Sequence, residues 1–285
     1  MGWLLAAAGR RTRPRPAVGR QSLPSGRDGR ASRAVTIAGR LAPRRTSLRG
    51  VVEFGASRVL GPLGYELRDK VLSERPEGFP GYLEAACRAG MDVNDYEEQR
   101  LGWRLPLPTL DELVFPILRE DATVCEIGPG TGRWSRHILR RVPRGELHLV
   151  DPSPWMVRFL AGYFAAAPNV FAHTNDGQTL PFERDAWLDL IFSANTFVEL
   201  KLGTIWLYAR DFARLLKPGG YAIVDYIDPT TPEGWQHLMT QPADMAPVYT
   251  FHAPGVIDRV LTTAGLCVER RYQVGKSTFV VARRA

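Results

Sequence analysis

From residue 122 onward, short apolar runs alternate with helical patterns, and this alternation constrains the fold more than any other feature of the chain. Runs such as Thr123–Ile127 and Leu188–Phe192 are mostly apolar and bounded by glycine, proline or polar residues, which is typical of buried strands. Between such runs, apolar residues recur every three or four positions, as they do on one face of a helix. Strands that alternate with helices form βαβ units, and these units require a parallel sheet.

Seven strands are predicted in this part of the chain. They are Thr123–Ile127, Glu146–Val150, Val170–His173, Leu188–Phe192, Tyr221–Tyr226, Leu266–Gln273 and Ser277–Ala282. The last two are joined by only three residues, too few for a crossover, so they must pair antiparallel. The prediction is therefore a three-layer α/β fold, with a mostly parallel seven-stranded sheet and a C-terminal antiparallel hairpin. Lys217–Gly220 is interpreted as a helix stop that precedes the fifth strand.

The net charge of +7 is concentrated at the N-terminus. Residues 1–50 contain twelve Arg and a single acidic residue, Asp28, so they carry +11 and the other 235 residues carry −4. The total charge thus implies no basic patch on the folded part. Because this segment has few large apolar side chains, it is predicted to be a disordered Arg-rich N-terminal extension. Three interpretations stay open: an inert stretch or upstream sequence included by a misplaced start codon, an organellar transit peptide, or a tether to nucleic acid or anionic membrane.

Residues 51–118 mix helical patterns with prolines and are predicted to form a helical lead-in that caps the functional site. Pro106 and Pro108 are expected to break the chain before a helix over Leu110–Leu118. The chain contains no run of 18 or more apolar residues, so no membrane span is predicted.

The three cysteines are widely separated and form no CxxC pair, so neither a disulfide framework nor a metal site is expected. They are interpreted as buried thiols in a reducing compartment. They are Cys87, Cys125 and Cys267.

The most informative motif is the glycine loop that follows the first predicted strand. It reads Gly128-Pro129-Gly130-Thr131-Gly132, and Glu126 lies just before it. Alternating glycines let the backbone turn sharply and let a ligand approach the main chain, while the next helix offers free N–H groups. A dinucleotide-binding loop has the spacing G-x-G-x-x-G, but Arg133 stands where its third glycine would be.

This loop resembles motif I of the class I S-adenosylmethionine-dependent methyltransferases, and three further segments share the resemblance. Asp176–Phe182 is similar to the family's D-A-x-x-L-P-F segment, Leu188–Ser193 to its F-D-x-V-x-S strand, and Leu215–Gly220 to its R-x-L-K-P-G-G turn. The resemblance implies a Rossmann-like methyltransferase fold, with residues 119–285 as the S-adenosylmethionine-binding catalytic domain. The cofactor implied is S-adenosyl-L-methionine.

The resemblance also implies which residues bind the cofactor. The glycine loop would pack against its amino-acid end and ribose, Asp176 would accept a hydrogen bond from the adenine amino group, and Gly177 would leave room for the ring. Asp151, which closes the second predicted strand, can accept both ribose hydroxyls in either cofactor class. The full predicted set is Glu126, Gly128, Gly130, Gly132, Asp151, Asp176, Gly177 and Ser193.

Three residues are candidates for a general base if the methyl acceptor is a hydroxyl: His252, Glu199 and Asp225. Many relatives have His where Glu199 stands, so the sequence departs from the family there. In-line methyl transfer needs no metal, and no metal ligand is assigned.

The expected acceptor is a small hydroxylated molecule, such as a sugar, a lipid headgroup or a secondary metabolite. Nucleic acid is disfavoured, because Ser193–Thr196 replaces the D/N-P-P-Y/F/W segment of amino methyltransferases and none of the cysteines follows proline. The alternatives are N- or C-methylation, a non-catalytic cofactor-binding domain and, remotely, an NAD(P)-dependent oxidoreductase. The expected location is cytoplasmic, or organellar if residues 1–50 are a transit peptide, and the oligomeric state is left open.

Overall fold

A computed structural model describes residues 79–101, 106–241 and 248–285. The predicted extension over residues 1–50, and the lead-in before residue 79, lie outside the described residues. Three helices of the lead-in are described: α1 (Phe79–Ala89), α2 (Val93–Leu101) and α3 (Pro106–Leu113).

The rest of the described chain alternates strands with helices. In order, its elements are β1 (Thr123–Ile127), α4 (Ser135–Leu139), β2 (Glu146–Asp151), α5 (Pro154–Tyr163), β3 (Val170–Thr174), β4 (Leu188–Phe192), a 3-10 turn (Phe197–Glu199), α6 (Leu202–Leu215), β5 (Leu216–Tyr226), α7 (Pro232–Thr240), α8 (Pro254–Thr263), β6 (Leu266–Val274) and β7 (Ser277–Arg284).

The seven strands form one sheet in the order β3-β2-β1-β4-β5-β7-β6. The first five strands are parallel to one another, whereas β7 is antiparallel to both β5 and β6. The predicted fold class is therefore confirmed. Chain order runs outward from β1 to β3 on one side and from β4 to β5 on the other, so the strand order reverses between β1 and β4. Open α/β sheets bind ligands at the carboxyl ends of the strands beside such a reversal.

Apolar residues cover both faces of the sheet, which makes the fold three-layered. On one face Phe212 of α6 and Leu261 of α8 belong to a buried cluster, and on the other face Leu110 of α3 and Leu160 of α5 belong to a second. Each of these helices has an apolar face, and the burial of that face against the sheet holds the helix in place.

Two predicted boundaries and one interpretation were wrong. Helix α3 begins at Pro106, since proline is tolerated in the first turn, where its missing N–H has no partner to lose. Strand β5 begins at Leu216, because Leu216 already pairs with Leu188 of β4 ahead of an irregularity in the register. Of the cysteines, only Cys125 is buried, while Cys87 and Cys267 are exposed.

Candidate functional site

The glycine loop between β1 and α4 turns sharply because its three glycines adopt left-handed backbone conformations. Gly128, Gly130 and Gly132 have φ angles of 64°, 55° and 82°. A Cβ atom on Gly128 would lie 2.0 Å from Oγ1 of Thr196, and one on Gly132 would lie 2.7 Å from Cε2 of Phe164. At these two positions a side chain is excluded by close packing as well as by the left-handed backbone conformation.

Gly130 differs from the other two glycines, because a Cβ atom there would meet no heavy atom within 4 Å. The main chain at Gly130 therefore borders open space, and a ligand can approach it without meeting a side chain. The amide of Gly128 donates to the carbonyl of Val150 at 2.8 Å, which ties the loop to the carboxyl end of β2.

Glu126 lies beneath this loop, at the carboxyl end of β1. It is 1% exposed, and its Oε2 accepts a hydrogen bond of 2.6 Å from the hydroxyl of Ser135 in α4. Burial raises the pKa of Glu126 to about 7, and the Ser135 hydrogen bond opposes that rise. The side chain is thus about half protonated at pH 7, and its contact with a cofactor remains a prediction.

Asp151 ends β2 next to the glycine loop and is half-buried. Its Oδ1 accepts the amide of Ser153 at 2.8 Å, and its carbonyl accepts the amide of Asn175 at 3.3 Å. The structure therefore brings Glu126 and Asp151 to the carboxyl ends of neighbouring strands, next to the glycine loop.

Asp176 follows β3 at the same edge of the sheet, but its carboxylate serves its own loop. Oδ1 accepts the amides of Gln178 and Thr179 at 2.8 and 2.7 Å, and Oδ2 accepts the Thr179 hydroxyl at 3.0 Å. Burial raises the pKa of Asp176 and these hydrogen bonds lower it, with a net fall. Gly177 adopts a φ of 76°. Both residues stabilise a tight turn, and their adenine contacts remain predictions.

Ser193 follows β4 and is fully buried. Its hydroxyl donates to the carbonyl of Ile127 at 2.8 Å, and the hydroxyl of Thr196 donates to the carbonyl of Gly128 at 3.3 Å. The predicted contact between Ser193 and the cofactor is not tested by this burial and remains a prediction. The two hydroxyls fasten the loop after β4 to the start of the glycine loop.

Asp225 in β5 is also fully buried, which argues against its predicted role as the general base, since a base must touch the acceptor. Its Oδ1 accepts the backbone amide of Asn195 at 2.9 Å. Burial raises the pKa of Asp225, while Lys276, Ser277 and the Asn195 amide lower it, with a net rise.

The other two candidate bases lie on adjoining segments. Glu199 ends the 3-10 turn, and the next residue, Leu200, accepts hydrogen bonds at its carbonyl from the hydroxyl of Thr250 at 2.8 Å and from Nε2 of His252 at 3.2 Å. The His252 amide also donates to the carbonyl of Ile227, just after β5, at 3.0 Å. Segment 248–252 is thereby joined to the carboxyl ends of β4 and β5, and both candidates are half-exposed there.

Helix α2 contacts the glycine loop directly, and the sequence reading missed this. The buried side chain of Asn94 donates to the carbonyl of Thr131 at 3.0 Å, and the Thr131 hydroxyl donates to Oε2 of Glu97 at 2.9 Å. Behind the loop, Arg136 forms salt bridges of 2.5 and 2.7 Å with Asp95 and Glu98. The sequence signal for this contact is the strongly polar run 94–100. The residues that this run contacts lie more than 30 positions away and could not be identified from the sequence.

No helix in the described ranges is long and apolar enough to cross a membrane. Within the same ranges, no group of three or more His, Cys, Asp or Glu side chains could hold a metal ion.

Comparison with known families gives a match over the part of the chain that carries the glycine loop. Residues 124–220 match the family model described as a methyltransferase domain. Malonyl-[acyl-carrier protein] O-methyltransferase 1 of Ilyobacter polytropus is 34% identical over 79 residues, which are 28% of this chain and 29% of that protein. The match thus spans less than a third of this relative.

Two solved structures share the fold over most of their own length. A SAM dependent methyltransferase from Aquifex aeolicus has 24% identity and a TM-score of 0.51, covering 65% of this chain and 93% of its own. Geranyl diphosphate C-methyltransferase from Streptomyces coelicolor A3(2), solved with Mg2+, geranyl diphosphate and S-adenosyl-L-homocysteine, has 15% identity and a TM-score of 0.53, covering 68% of this chain and 84% of its own. At these identities the likeness concerns the fold.

Proposed function

We propose that this chain, whose residues 124–220 belong to the class I S-adenosylmethionine-dependent methyltransferases, transfers a methyl group from S-adenosylmethionine to a hydroxyl of a small molecule. The observation that carries the proposal is the site at the strand-order reversal. There, the bare backbone at Gly130 borders open space, and carboxylates lie at the ends of β1 and β2.

The residues at this edge fit S-adenosylmethionine better than a dinucleotide. Ribose hydroxyls are hydrogen-bond donors, which suits the half-exposed carboxylate of Asp151. A pyrophosphate is an anion and would be repelled by that carboxylate. Moreover, Arg133 stands where a dinucleotide fold has its third glycine, which there allows the helix to pack closely on the strand. An oxidoreductase is therefore not proposed.

Each part of the site has its own task in this proposal. When bound, the cofactor would supply a methyl group on a positively charged sulfur, which would keep the electron pair of the broken carbon–sulfur bond. Asp151 would hold the ribose, the main chain at Gly130 would hold the amino-acid end, and the loop after β4 would lie between cofactor and acceptor. Holding the two reactants in line supplies most of the rate enhancement.

His252 is the side chain best suited to take the acceptor proton. The Leu200 carbonyl can only accept a hydrogen bond, so the 3.2 Å contact requires the hydrogen on Nε2 of neutral His252. The lone pair is then on Nδ1. As the acceptor oxygen bonds to the methyl group, its hydroxyl proton moves to His252 Nδ1. Glu199, on the adjoining turn, is the alternative base.

A small acceptor agrees with the charge of the chain. Outside residues 1–50 the chain carries a net −4, which disfavours the phosphate contacts that dominate nucleic-acid binding. We assign the acceptor pocket to helices α1 and α2 and to residues 227–241 and 248–253, which follow β5. The family model matches residues 124–220, so these elements lie outside the matched part of the chain.

The test is transfer of a labelled methyl group from S-adenosylmethionine across a panel of hydroxylated sugars, headgroups and metabolites, with S-adenosylhomocysteine release as the readout. Label should appear in at least one acceptor, and His252→Gln should lower that rate about 100-fold, in the range typical of general-base catalysis. Glu199→Gln is the matched variant. A larger loss of rate in Glu199→Gln than in His252→Gln would make Glu199 the general base. Cofactor binding without transfer to any acceptor would contradict the proposal and indicate a non-catalytic binding domain.

A further inference from the structure

The loop after β4 is anchored on two opposite sides. On the cofactor side, the hydroxyls of Ser193 and Thr196 donate to main-chain carbonyls of β1 and the glycine loop. On the other side, the Asn195 amide donates to Oδ1 of Asp225 in β5. This loop is therefore hydrogen-bonded both to the cofactor side and to segment 248–252, whose Thr250 amide donates to the carbonyl of Val198 at 2.8 Å.

Asn195 occupies a conformation that needs support. Its φ is 62°, one of only two positive values among the non-glycine residues of the described chain. Asparagine tolerates the left-handed region better than most residues, but the conformation is still strained and persists where the surroundings hold it. The hydrogen bond from its amide to Asp225 is the contact that holds it.

Asp225 itself is a buried carboxylate, which is costly unless a charge or hydrogen bonds compensate it. Its Oδ2 has no hydrogen-bond partner among the described residues, and the positive charge that acts on the carboxyl is that of Lys276, in the turn between β6 and β7. There Lys276 is only 8% exposed and Ser277 only 5%. A lysine in a two-residue hairpin turn ordinarily extends into water. Here the ammonium group lies 4.8 Å from the ring centroid of Tyr249 and lowers the pKa of the Asp225 carboxyl, against the larger rise that burial causes.

We propose that Asp225 and Lys276 form a buried positioning pair, which holds Asn195 in its left-handed conformation and so sets the loop after β4 between the cofactor and the acceptor. Lys276 connects the pair to the acceptor side through Tyr249, and Asp225 connects it to the cofactor side through Asn195, Thr196 and the carbonyl of Gly128. Neither member touches a reacting atom. The consequence for methyl transfer rests on the proposed function, whereas the pairing itself does not.

The amide resonance of Asn195 reports the pair directly, because its shift depends on the charge of the carboxylate that accepts its hydrogen bond. In 15N-labelled protein, a pH titration of this resonance should follow Asp225; the groups acting on that carboxyl are Lys276, Ser277 and the Asn195 amide. Lys276→Met should move the midpoint up by at least about one pH unit, as expected when an opposite charge is removed. Lys276→Arg should keep the wild-type midpoint, and Asp225→Asn should abolish the titration.

Asp228→Asn is the matched control, since Asp228 is also a buried aspartate just beyond β5 but accepts from Thr230 instead. It should leave the Asn195 titration unchanged. An Asn195 resonance that ignores Asp225→Asn, or an unmoved midpoint in Lys276→Met, would overturn the pair. Should Lys276→Met not fold, the comparison of Lys276→Arg with wild type still decides, since a shifted midpoint in the charge-conserving variant contradicts the proposal.

The kinetic readout uses any acceptor that accepts label from the wild-type enzyme. Asp225→Asn should lower kcat about tenfold while the Kd for S-adenosylmethionine changes less than about threefold, because misplacing reactants costs rate more than binding. Equal losses in kcat and cofactor affinity would instead indicate a general loss of structure and would overturn the positioning role. Absence of transfer in the wild-type enzyme would count against the proposed function alone, since the titration of Asn195 needs no acceptor.

Discussion

At the residue scale, the three glycines of the loop 128–132 are required for different physical reasons. All three have positive φ, but only Gly128 and Gly132 are also pressed against side chains, those of Thr196 and Phe164. Gly130 borders open space. A substitution at Gly132 should therefore affect mainly stability, whereas one at Gly130 should affect mainly ligand binding.

This separation can be measured with a pair of alanine variants. Gly132→Ala combines backbone strain with overlap against Phe164, so we expect it to cost about 3 kcal/mol or more of unfolding free energy. Gly130→Ala adds strain alone, about 1 kcal/mol, but places a methyl group where the cofactor approaches. Urea unfolding should rank Gly132→Ala as the less stable variant, and calorimetry should show the greater relative loss of S-adenosylmethionine affinity in Gly130→Ala. The reverse ranking would mean that the ligand does not approach at Gly130.

Glu126 predicts a particular pH dependence of stability. Its pKa in the folded protein is about 7, above the 4.5 of an exposed glutamate. The folded state therefore holds the proton more tightly than the unfolded state. The stabilisation is complete below about pH 4.5 and is lost as the pH rises through about 7.

Glu126→Gln, which cannot ionise, should lack this loss. Between pH 5 and pH 8 the unfolding free energy of the wild type should fall relative to the variant by up to about 3 kcal/mol, as determined from urea titrations. Parallel pH profiles for the two proteins would show that Glu126 is ionised in the folded state, contrary to its burial.

At the scale of secondary-structure elements, the edge formed by β2 and β3 carries a histidine pair, of which His148 is buried and His173 half-buried. Nδ1 of His148 lies 3.0 Å from Nε2 of His173, and Nε2 of His148 lies 3.2 Å from Glu146. The ring of Phe182 packs against both imidazoles, with centroids 5.7 and 5.1 Å away. Phe182 belongs to the segment that continues from Asp176, so this cluster supports the predicted adenine loop.

The histidine pair predicts a loss of stability in acid. Burial lowers the pKa of His148, which Glu146 partly offsets, and burial together with the charge of His148 lowers the pKa of His173. The unfolded state then binds more protons, so stability is present above the ordinary histidine pKa of about 6.5 and is lost as the pH falls through the lower folded values.

Replacing both histidines tests whether this pair causes the loss of stability in acid. In the double variant His148→Gln, His173→Gln, the unfolding free energy should vary less steeply between pH 7 and pH 5 than in the wild type. If the unfolding free energy of the double variant depends on pH as steeply as that of the wild type, groups other than this pair cause the acid sensitivity.

At the scale of the whole molecule, the architecture could be predicted from the sequence. Strand periodicity, loop length and crossover geometry are local properties, and few sheet topologies are compatible with all of them. Errors arose where a long-range partner decides. Leu216 is a strand residue because it pairs with Leu188, and Asp225 is buried because β5 lies between β4 and β7 in the sheet. The contact of α2 with Thr131 likewise depends on residues 34 and 37 positions apart.

The central claim is that the carboxyl edge of β1 and β2 binds S-adenosylmethionine, and calorimetric titration of the cofactor into wild type and Asp151→Ala tests it most directly. Asp185→Ala, which removes an exposed carboxylate from the loop before β4, is the control. We expect one cofactor per chain, unchanged affinity in Asp185→Ala, and affinity at least about tenfold weaker in Asp151→Ala, as the loss of a charged hydrogen-bond acceptor predicts. No heat of binding in the wild type, or equal affinity in Asp151→Ala, would contradict the claim.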